Sequence, residues 1–145
     1  MKVLVQKVLS ASVMVDNKTV AEIGNGFLLF VGVEKGDTPA QADYLAKKVA
    51  NFRIFTDEND KMNLSLQDVG GAVFAVSQFT LAADLSRGNR PGFDTAAAPE
   101  EAEPLYNYFV KQLRQYNIPV QTGIFQADMK VALVNDGPCT FILQK

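Results

Sequence analysis

Asn25-Gly26 stands between two apolar, β-rich runs, residues 19–23 and 27–33. Asn-Gly accepts the positive φ angles of a tight two-strand connection, so the spacing predicts a hairpin there. Asp16-Asn17-Lys18 reads as another turn, between Val15 and the run starting at Thr19. Val3-Leu4-Val5 and Ala11-Ser12-Val13-Met14-Val15 complete a β-rich first third. Such a chain must bury the apolar faces of a sheet, so an all-helical fold is excluded at the outset.

Helical spacing begins at Thr38. Thr38-Pro39-Ala40-Gln41 has the form of a capping box with proline at the first helical position. Ala42, Leu45, Ala46 and Val49 form an apolar stripe, and Lys47 and Lys48 lie near the end the helix dipole makes negative. A short strand around Arg53-Ile54-Phe55 and a polar loop at 57–61 follow. Gly70-Gly71 precedes an apolar run that predicts a strand over 72–81. A 17-residue loop, 82–98, carries Arg87-Gly88-Asn89-Arg90-Pro91-Gly92; loops that long are often functional. A second helix is predicted from near Pro99 to about Tyr116, with Leu105, Tyr106, Phe109, Val110 and Leu113 in its stripe. Two strands, 129–134 and 140–143, close the chain around Asn135-Asp136-Gly137-Pro138-Cys139. The pattern predicts one α+β domain over 1–145: a curved, antiparallel-rich, barrel-like sheet with two main helices packed on it.

Composition narrows the chemistry. The chain has 145 residues, no His, one Cys and a net charge of −2. That length buries roughly 70% of the unfolded surface, so no disulfide or metal is needed for folding. Without His there is no Ser-His-Asp triad, no Cys-His pair and no His-ligated metal; one Cys builds neither a thiolate zinc site nor an internal disulfide. The near-neutral charge argues against a broad nucleic-acid footprint and leaves only local patches. The longest apolar stretch, 27–33, is too short to span a bilayer, and Gln6 and Lys7 interrupt any signal-peptide core. A cytoplasmic location is the expectation.

Some patterns fail on inspection. The segment 57–68 has Lys61 at the fifth position of a calcium loop, Met62 at the sixth and Asp68 at the twelfth, so it reads as a solvated turn. Residues 32–38 lack the spacing and lysine of a phosphate loop. Glu100, Glu101 and Glu103 suit a helix N-terminus better than paired-carboxylate catalysis.

Two segments remain. In Ser77-Gln78-Phe79-Thr80-Leu81, strand alternation puts Ser77, Phe79 and Leu81 on one face and Gln78 and Thr80 on the other. Read plainly, that is an ordinary strand with one polar face. Asn135-Asp136-Gly137-Pro138-Cys139-Thr140 has the composition of a hairpin turn. Cys139 has no His to activate it and reads as a small packed residue.

Together these two segments resemble the paired signatures of the D-aminoacyl-tRNA deacylases. The likeness extends over the chain through Gly24-Asn25-Gly26-Phe27-Leu28, Lys61-Met62-Asn63-Leu64, Arg87-Gly88-Asn89-Arg90-Pro91, Leu105-Tyr106-Asn107-Tyr108-Phe109 and Gln121-Thr122-Gly123. The resemblance implies hydrolysis of the ester joining a D-amino acid to the 3′ end of tRNA, as chiral proofreading in translation. It implies a homodimer with sites at the subunit interface, the aminoacyl-tRNA 3′ end as partner, no DNA or membrane partner, and no cofactor or metal. By carry-over, Gly137 and Pro138 form a cis pair that enters the partner's site and holds the substrate's α-amino group through backbone carbonyls. An L side chain then meets main chain while a D side chain points to solvent, which is specificity by exclusion. Achiral glycine, mischarged on tRNA-Ala, is tolerated on the same logic.

The resemblance puts Ser77, Gln78, Phe79 and Thr80 in the catalytic segment. Backbone N–H groups near Phe79 and Thr80 form the oxyanion hole, where one donor is worth about 10²–10³ in rate. Thr80 is either a nucleophile or an orienter of attacking water helped by the terminal 2′-hydroxyl; the missing base favours the orienter. Phe125 and Met129 line the pocket, and Arg87 and Arg90 touch tRNA. Relatives commonly carry Arg where this chain has Lys7, and a lysine bracing the partner's Gly-Pro loop there would give up bidentate geometry; they carry Ser where it has Gly92. Reading from residues alone also leaves a non-catalytic dimeric RNA-binding module, based on Arg87 and Arg90, and a plain structural dimer.

Overall fold

The computed structural model describes residues 1–145. Its first strand, β1 (Lys2–Val15), is one 14-residue element where the sequence suggested two separate runs. The chain reverses through Asp16 and Asn17, both at positive φ (50° and 60°), into β2 (Lys18–Ile23), as the turn residues predicted. Asp and Asn tolerate that left-handed region better than other non-glycine residues.

The predicted hairpin at Gly24-Asn25-Gly26 does not form. β2 and β3 (Gly26–Gly32) both run antiparallel to β1 along one line: Ile23 pairs with Ala11, Gly26 with Val8 and Gly32 with Lys2. Residues 24–25 are therefore a short break in a nearly continuous strand. The glycine serves approach rather than reversal, since a Cβ on Gly26 would stand 1.8 Å from the Ala72 carbonyl oxygen. That contact lets β3 lie beside β6 (Ala72–Ser77), which pairs with it in parallel from Gly26↔Ala72 to Val31↔Ser77.

Two short elements between these strands, β4 (Phe55–Thr56) and β5 (Met62–Leu64), form a separate antiparallel pair around the polar loop. β7 (Val120–Thr122) joins β6 in parallel. β8 (Lys130–Gln144) pairs antiparallel along the other edge of β1, from Lys2↔Gln144 to Met14↔Lys130. The main sheet is thus mixed, with its antiparallel part at β1 and its parallel part at β3, β6 and β7. It curls until β2 approaches β6 and β7.

Helix α1 (Pro39–Ala50) begins as predicted: Thr38 Oγ1 accepts from the Ala40 N–H, and the Thr38 N–H donates to Gln41 Oε1 at 2.9 Å. Helix α2 (Pro99–Arg114) ends two residues before the predicted limit. Their stripes meet odd-numbered residues of the sheet in one core, including Phe27, Leu29, Val73, Leu45, Phe109 and Leu113, all fully buried. The opposite face of β3 and β6 carries Leu28, Phe74 and Val76, which pack with Val8, Val13 and Ile23 inside the curl. Strands covered on both faces explain why 27–31 and 73–76 read as unbroken apolar runs rather than as alternation.

Because a Cβ at Gly26 would overlap the Ala72 backbone, Gly26→Ala is expected to separate β3 from β6 and cost about 3 kcal/mol or more. Urea denaturation followed by circular dichroism measures it.

Candidate active site

The parallel ladder of β3 and β6 sets where the site begins. Its last backbone bond is the Gln78 N–H donating to the Val31 carbonyl at 2.8 Å. β6 stops at Ser77, short of the predicted 81. Gln78 takes φ −144° and ψ 81°, and residues Phe79–Ala82 close a 3-10 turn. Strand alternation therefore does not govern 77–81. Ser77, Gln78 and Phe79 line one cleft, while Thr80 and Leu81 turn into a second depression. Gln78 borders both, and its amide donates to Thr80 Oγ1 at 2.5 Å. The Phe79 and Thr80 N–H groups stand at the start of the turn, where amides lack an acceptor within the helix.

The main cleft has a volume of about 800 Å³ and is mostly apolar. Val31, Val76 and Ala97 contribute to its walls, with Phe125 and Met129, both predicted pocket residues, among the lining. Phe79 is 58% exposed at its edge and packs against Phe93 of the long loop, ring centroids 4.9 Å apart. The loop is anchored back to the turn: Asp84 and Gly92 exchange backbone bonds at 2.8 and 2.9 Å, and Thr95 Oγ1 donates to the Ala82 carbonyl.

Tyr106, from α2, also lines the cleft. Its hydroxyl donates to the Ala75 carbonyl at 2.9 Å, a buried bond. Burial pushes the phenol far above its ordinary value, outweighing Arg114, so Tyr106 stays a neutral donor. It ties α2 to β6 just before Ser77. Phe93 and Tyr106 escaped prediction as site residues; Tyr106 read as part of an apolar stripe, and only the length of loop 82–98 pointed toward Phe93.

The smaller depression, about 340 Å³, is lined by Thr80, Gln78, Gln6 and Thr140, with Leu4, Phe30 and Leu81. Gln6 Nε2 donates to Thr140 Oγ1 at 3.2 Å. Thr140 belongs to the second signature, so the two signatures meet here within one chain.

The second signature is not a hairpin turn. Residues on both sides of it pair with β1 along the same edge: Asn135 with Val8, Thr140 with Gln6. Asp136-Gly137-Pro138-Cys139 bulge from β8 opposite the single residue Lys7. Asn135 Nδ2 holds the neck of the bulge, donating to the Lys7 carbonyl at 3.0 Å and the Cys139 carbonyl at 3.3 Å. Lys7 Nζ pairs with Asp136 Oδ2 at 2.8 Å, so Lys7 braces the bulge of its own chain. A Cβ on Gly137 would lie 2.6 Å from Asn135 Oδ1, so a side chain there would displace the amide that holds the neck of the bulge. The Gly137–Pro138 bond is cis, and both residues are exposed.

Not every candidate converges. Gly137 and Pro138 line neither depression, and Arg87 and Arg90 stand exposed away from both. Cys139 is buried; desolvation raises its pKa, outweighing the opposing pull of Lys7, so it is a packed thiol. No group of three or more Asp, Glu or Cys side chains gathers as a metal site.

A family model described as D-Tyr-tRNA(Tyr) deacylase matches residues 4–144. The chain is 57% identical over 145 residues to a D-aminoacyl-tRNA deacylase of Pelobacter propionicus, covering all of both chains. It is 60% identical over 144 residues to the D-aminoacyl-tRNA deacylase of Geotalea uraniireducens, covering 99% of this chain and 93% of that one. Among solved structures it resembles a c-Myc DNA unwinding element binding protein, with a TM-score of 0.93 and 37% identity, covering 100% and 99% of the two chains. A probable eukaryotic D-amino acid tRNA deacylase shares the fold, with a TM-score of 0.80 at 17% identity over 98% and 97% of the chains.

Tyr106→Phe removes one of two donors to the Ala75 carbonyl, which keeps the Gly123 N–H at 3.2 Å. A loss of about 0.5–1.5 kcal/mol in stability is expected, read by chemical denaturation.

Proposed function

Since the chain belongs to the D-Tyr-tRNA(Tyr) deacylase family, we propose that it hydrolyses the ester between a D-amino acid and the 3′ end of tRNA. Water adds to the acyl carbon, the ester C–O bond breaks, and the terminal ribose hydroxyl leaves with a proton. The observation that carries this reading is the break in β6 at Gln78, which leaves main-chain amides at the start of a 3-10 turn beside an open, mostly apolar cleft.

The residue roles in this proposal are assigned on that geometry. The Phe79 and Thr80 amides serve as the oxyanion hole, and preorganised donors of this kind need no histidine. Thr80, tied to Gln78, orients water rather than attacking, because no base stands beside it. The terminal 2′-hydroxyl of the tRNA assists. Ser77 and Gln78 border the substrate, with Phe125 and Met129 lining the deeper cleft.

Chirality is read by a second copy of the chain in this proposal. Gly137 and Pro138 project from the bulge without a site of their own, which suits insertion into a partner's cleft. Leu9, Val134 and Ile142, at 56%, 52% and 68% exposure on β1 and β8, supply apolar surface for a homodimer. An L side chain meets the partner's main chain, a D side chain does not, and glycine on tRNA-Ala passes with the D residues. Arg87 and Arg90 meet the tRNA backbone, and the enzyme acts in the cytoplasm as a proofreader of translation.

A second reading follows from Arg87 and Arg90 and from the structural neighbour whose name refers to a DNA unwinding element: nucleic-acid binding without cleavage. One assay separates them. With purified protein, D-Tyr-tRNA is expected to lose its ester while L-Tyr-tRNA survives; retention of tRNA without ester loss favours the binding module. Thr80→Ala is expected to lower turnover of D-Tyr-tRNA by about 10²-fold or more, and a substrate lacking the terminal 2′-hydroxyl to be slow.

A further inference from the structure

Among the residues lining the main cleft, two carry charge, Lys35 and Asp128. Asp128 is compensated: its Oδ1 lies 2.7 Å from Lys130 Nζ. Lys35 forms no ion pair. The acids nearest to it in sequence are engaged elsewhere, Glu34 with Lys2 Nζ at 2.9 Å and with the Met1 ammonium at 3.2 Å, Asp37 with that ammonium at 2.6 Å. The Lys35 side chain is therefore a cation without an ion pair in a mostly apolar cleft.

Its backbone is fixed. The Lys35 N–H donates to the Thr95 carbonyl at 2.9 Å, the Ala97 N–H to the Val33 carbonyl at 3.1 Å, and the Asp37 N–H to the Glu34 carbonyl at 3.1 Å. The chain leading to it continues from Val31, the residue in register with Ser77. Four residues of extended chain span at most about 13 Å, and the lysine stem shortens that gap from the ammonium side. Lys35 and Phe79 line the same cleft, so a nucleotide whose acylated ribose sits at Phe79 can place its phosphate at this lysine.

We propose that Lys35 binds the phosphodiester linking the last two nucleotides of the tRNA acceptor end, and so is a positioning residue that separates aminoacyl-tRNA from smaller aminoacyl esters. This rests on the deacylase reading above. A compact, freely rotating ammonium suits a single phosphate approached from several directions. The one carboxylate in the lining, Asp128, is already paired with Lys130, which leaves that phosphate as the strong partner on offer to Lys35. The contact is made equally in ground and transition states, so it acts on KM rather than on kcat.

The test compares D-Tyr-tRNA with D-tyrosyl-adenosine, which carries the same ester but no phosphate, using wild type, Lys35→Arg and Lys35→Glu. For Lys35→Glu, the ratio of kcat/KM on tRNA to kcat/KM on the adenosine ester is expected to fall at least tenfold, through KM. Lys35→Arg restores most of it. The slope of log(kcat/KM) on tRNA against log salt is expected to become shallower by about 0.7, the share of one single-strand phosphate. An unaltered ratio, or equal losses on both substrates, overturns the proposal while wild-type turnover of D-Tyr-tRNA stands. Absence of wild-type turnover on D-Tyr-tRNA refutes the deacylase reading itself and Lys35's role with it. Thermal melting of each variant checks that this exposed position is neutral for folding.

Discussion

The parallel ladder between β3 and β6 governs the rest of the molecule. It exists because Gly26 has no side chain, so the two backbones approach at Ala72. It ends where the Gln78 amide meets the Val31 carbonyl. Beyond that bond the chain has no partner strand and tightens into a 3-10 turn, which delivers Phe79 and Thr80 to opposite depressions. Packing on both faces holds the ladder in place: helix stripes on one side, the curled sheet's own interior on the other. Tyr106 then ties α2 to β6 at Ala75, two residues before Ser77. The site is rigid where amides must point and open where a substrate must enter, a division suited to preorganised electrostatics.

A chain without histidine is still equipped for acyl transfer if the bond to be broken is already activated. Main-chain amides, one hydroxyl held by a neighbouring amide and an apolar cleft are what the fold offers. None of these needs a tuned pKa; Tyr106 at the cleft and Cys139 packed in the core are both moved away from reactivity by burial.

Local chemistry was legible in the sequence wherever one residue type decides a conformation. Thr38 to Gln41 capped α1, Asp16-Asn17 turned the first hairpin, and both helices lay under their apolar stripes. The α+β class and the curled, antiparallel-rich sheet followed from those pieces. Three segments were misread for one shared reason: Gly24-Asn25-Gly26, the end of β6, and residues 135–139 all carry turn-like or strand-like composition, yet each takes its form from a distant partner. Asn-Gly became a spacer because β1 runs the full length beside it. Asn135 to Cys139 became a bulge because both flanks share β1. Tertiary pairing overrode local preference, and no window of sequence contains that pairing. The short strands β5 and β7 were missed likewise; three residues give too little periodicity to detect.

Site residues divided along the same line. Ser77, Gln78, Phe79, Phe125 and Met129 share a cleft as the family likeness suggested, and Thr80 stands next door, joined through Gln78. Phe93, Tyr106 and Lys35 could not be singled out, since a ring, a phenol and a lysine gain meaning only from what stands opposite. The spacer at residues 24–25 has a bearing on how the chain can vary. Side chains switch sides at every step along a strand, so lengthening that link by one residue would turn Phe27, Leu29 and Val31 away from the helices and bring Leu28 beneath them. Insertions of odd length there would invert the barrel wall, whereas the tip of loop 82–98, where Arg87 and Arg90 lie exposed, can grow or shrink without disturbing a single layer.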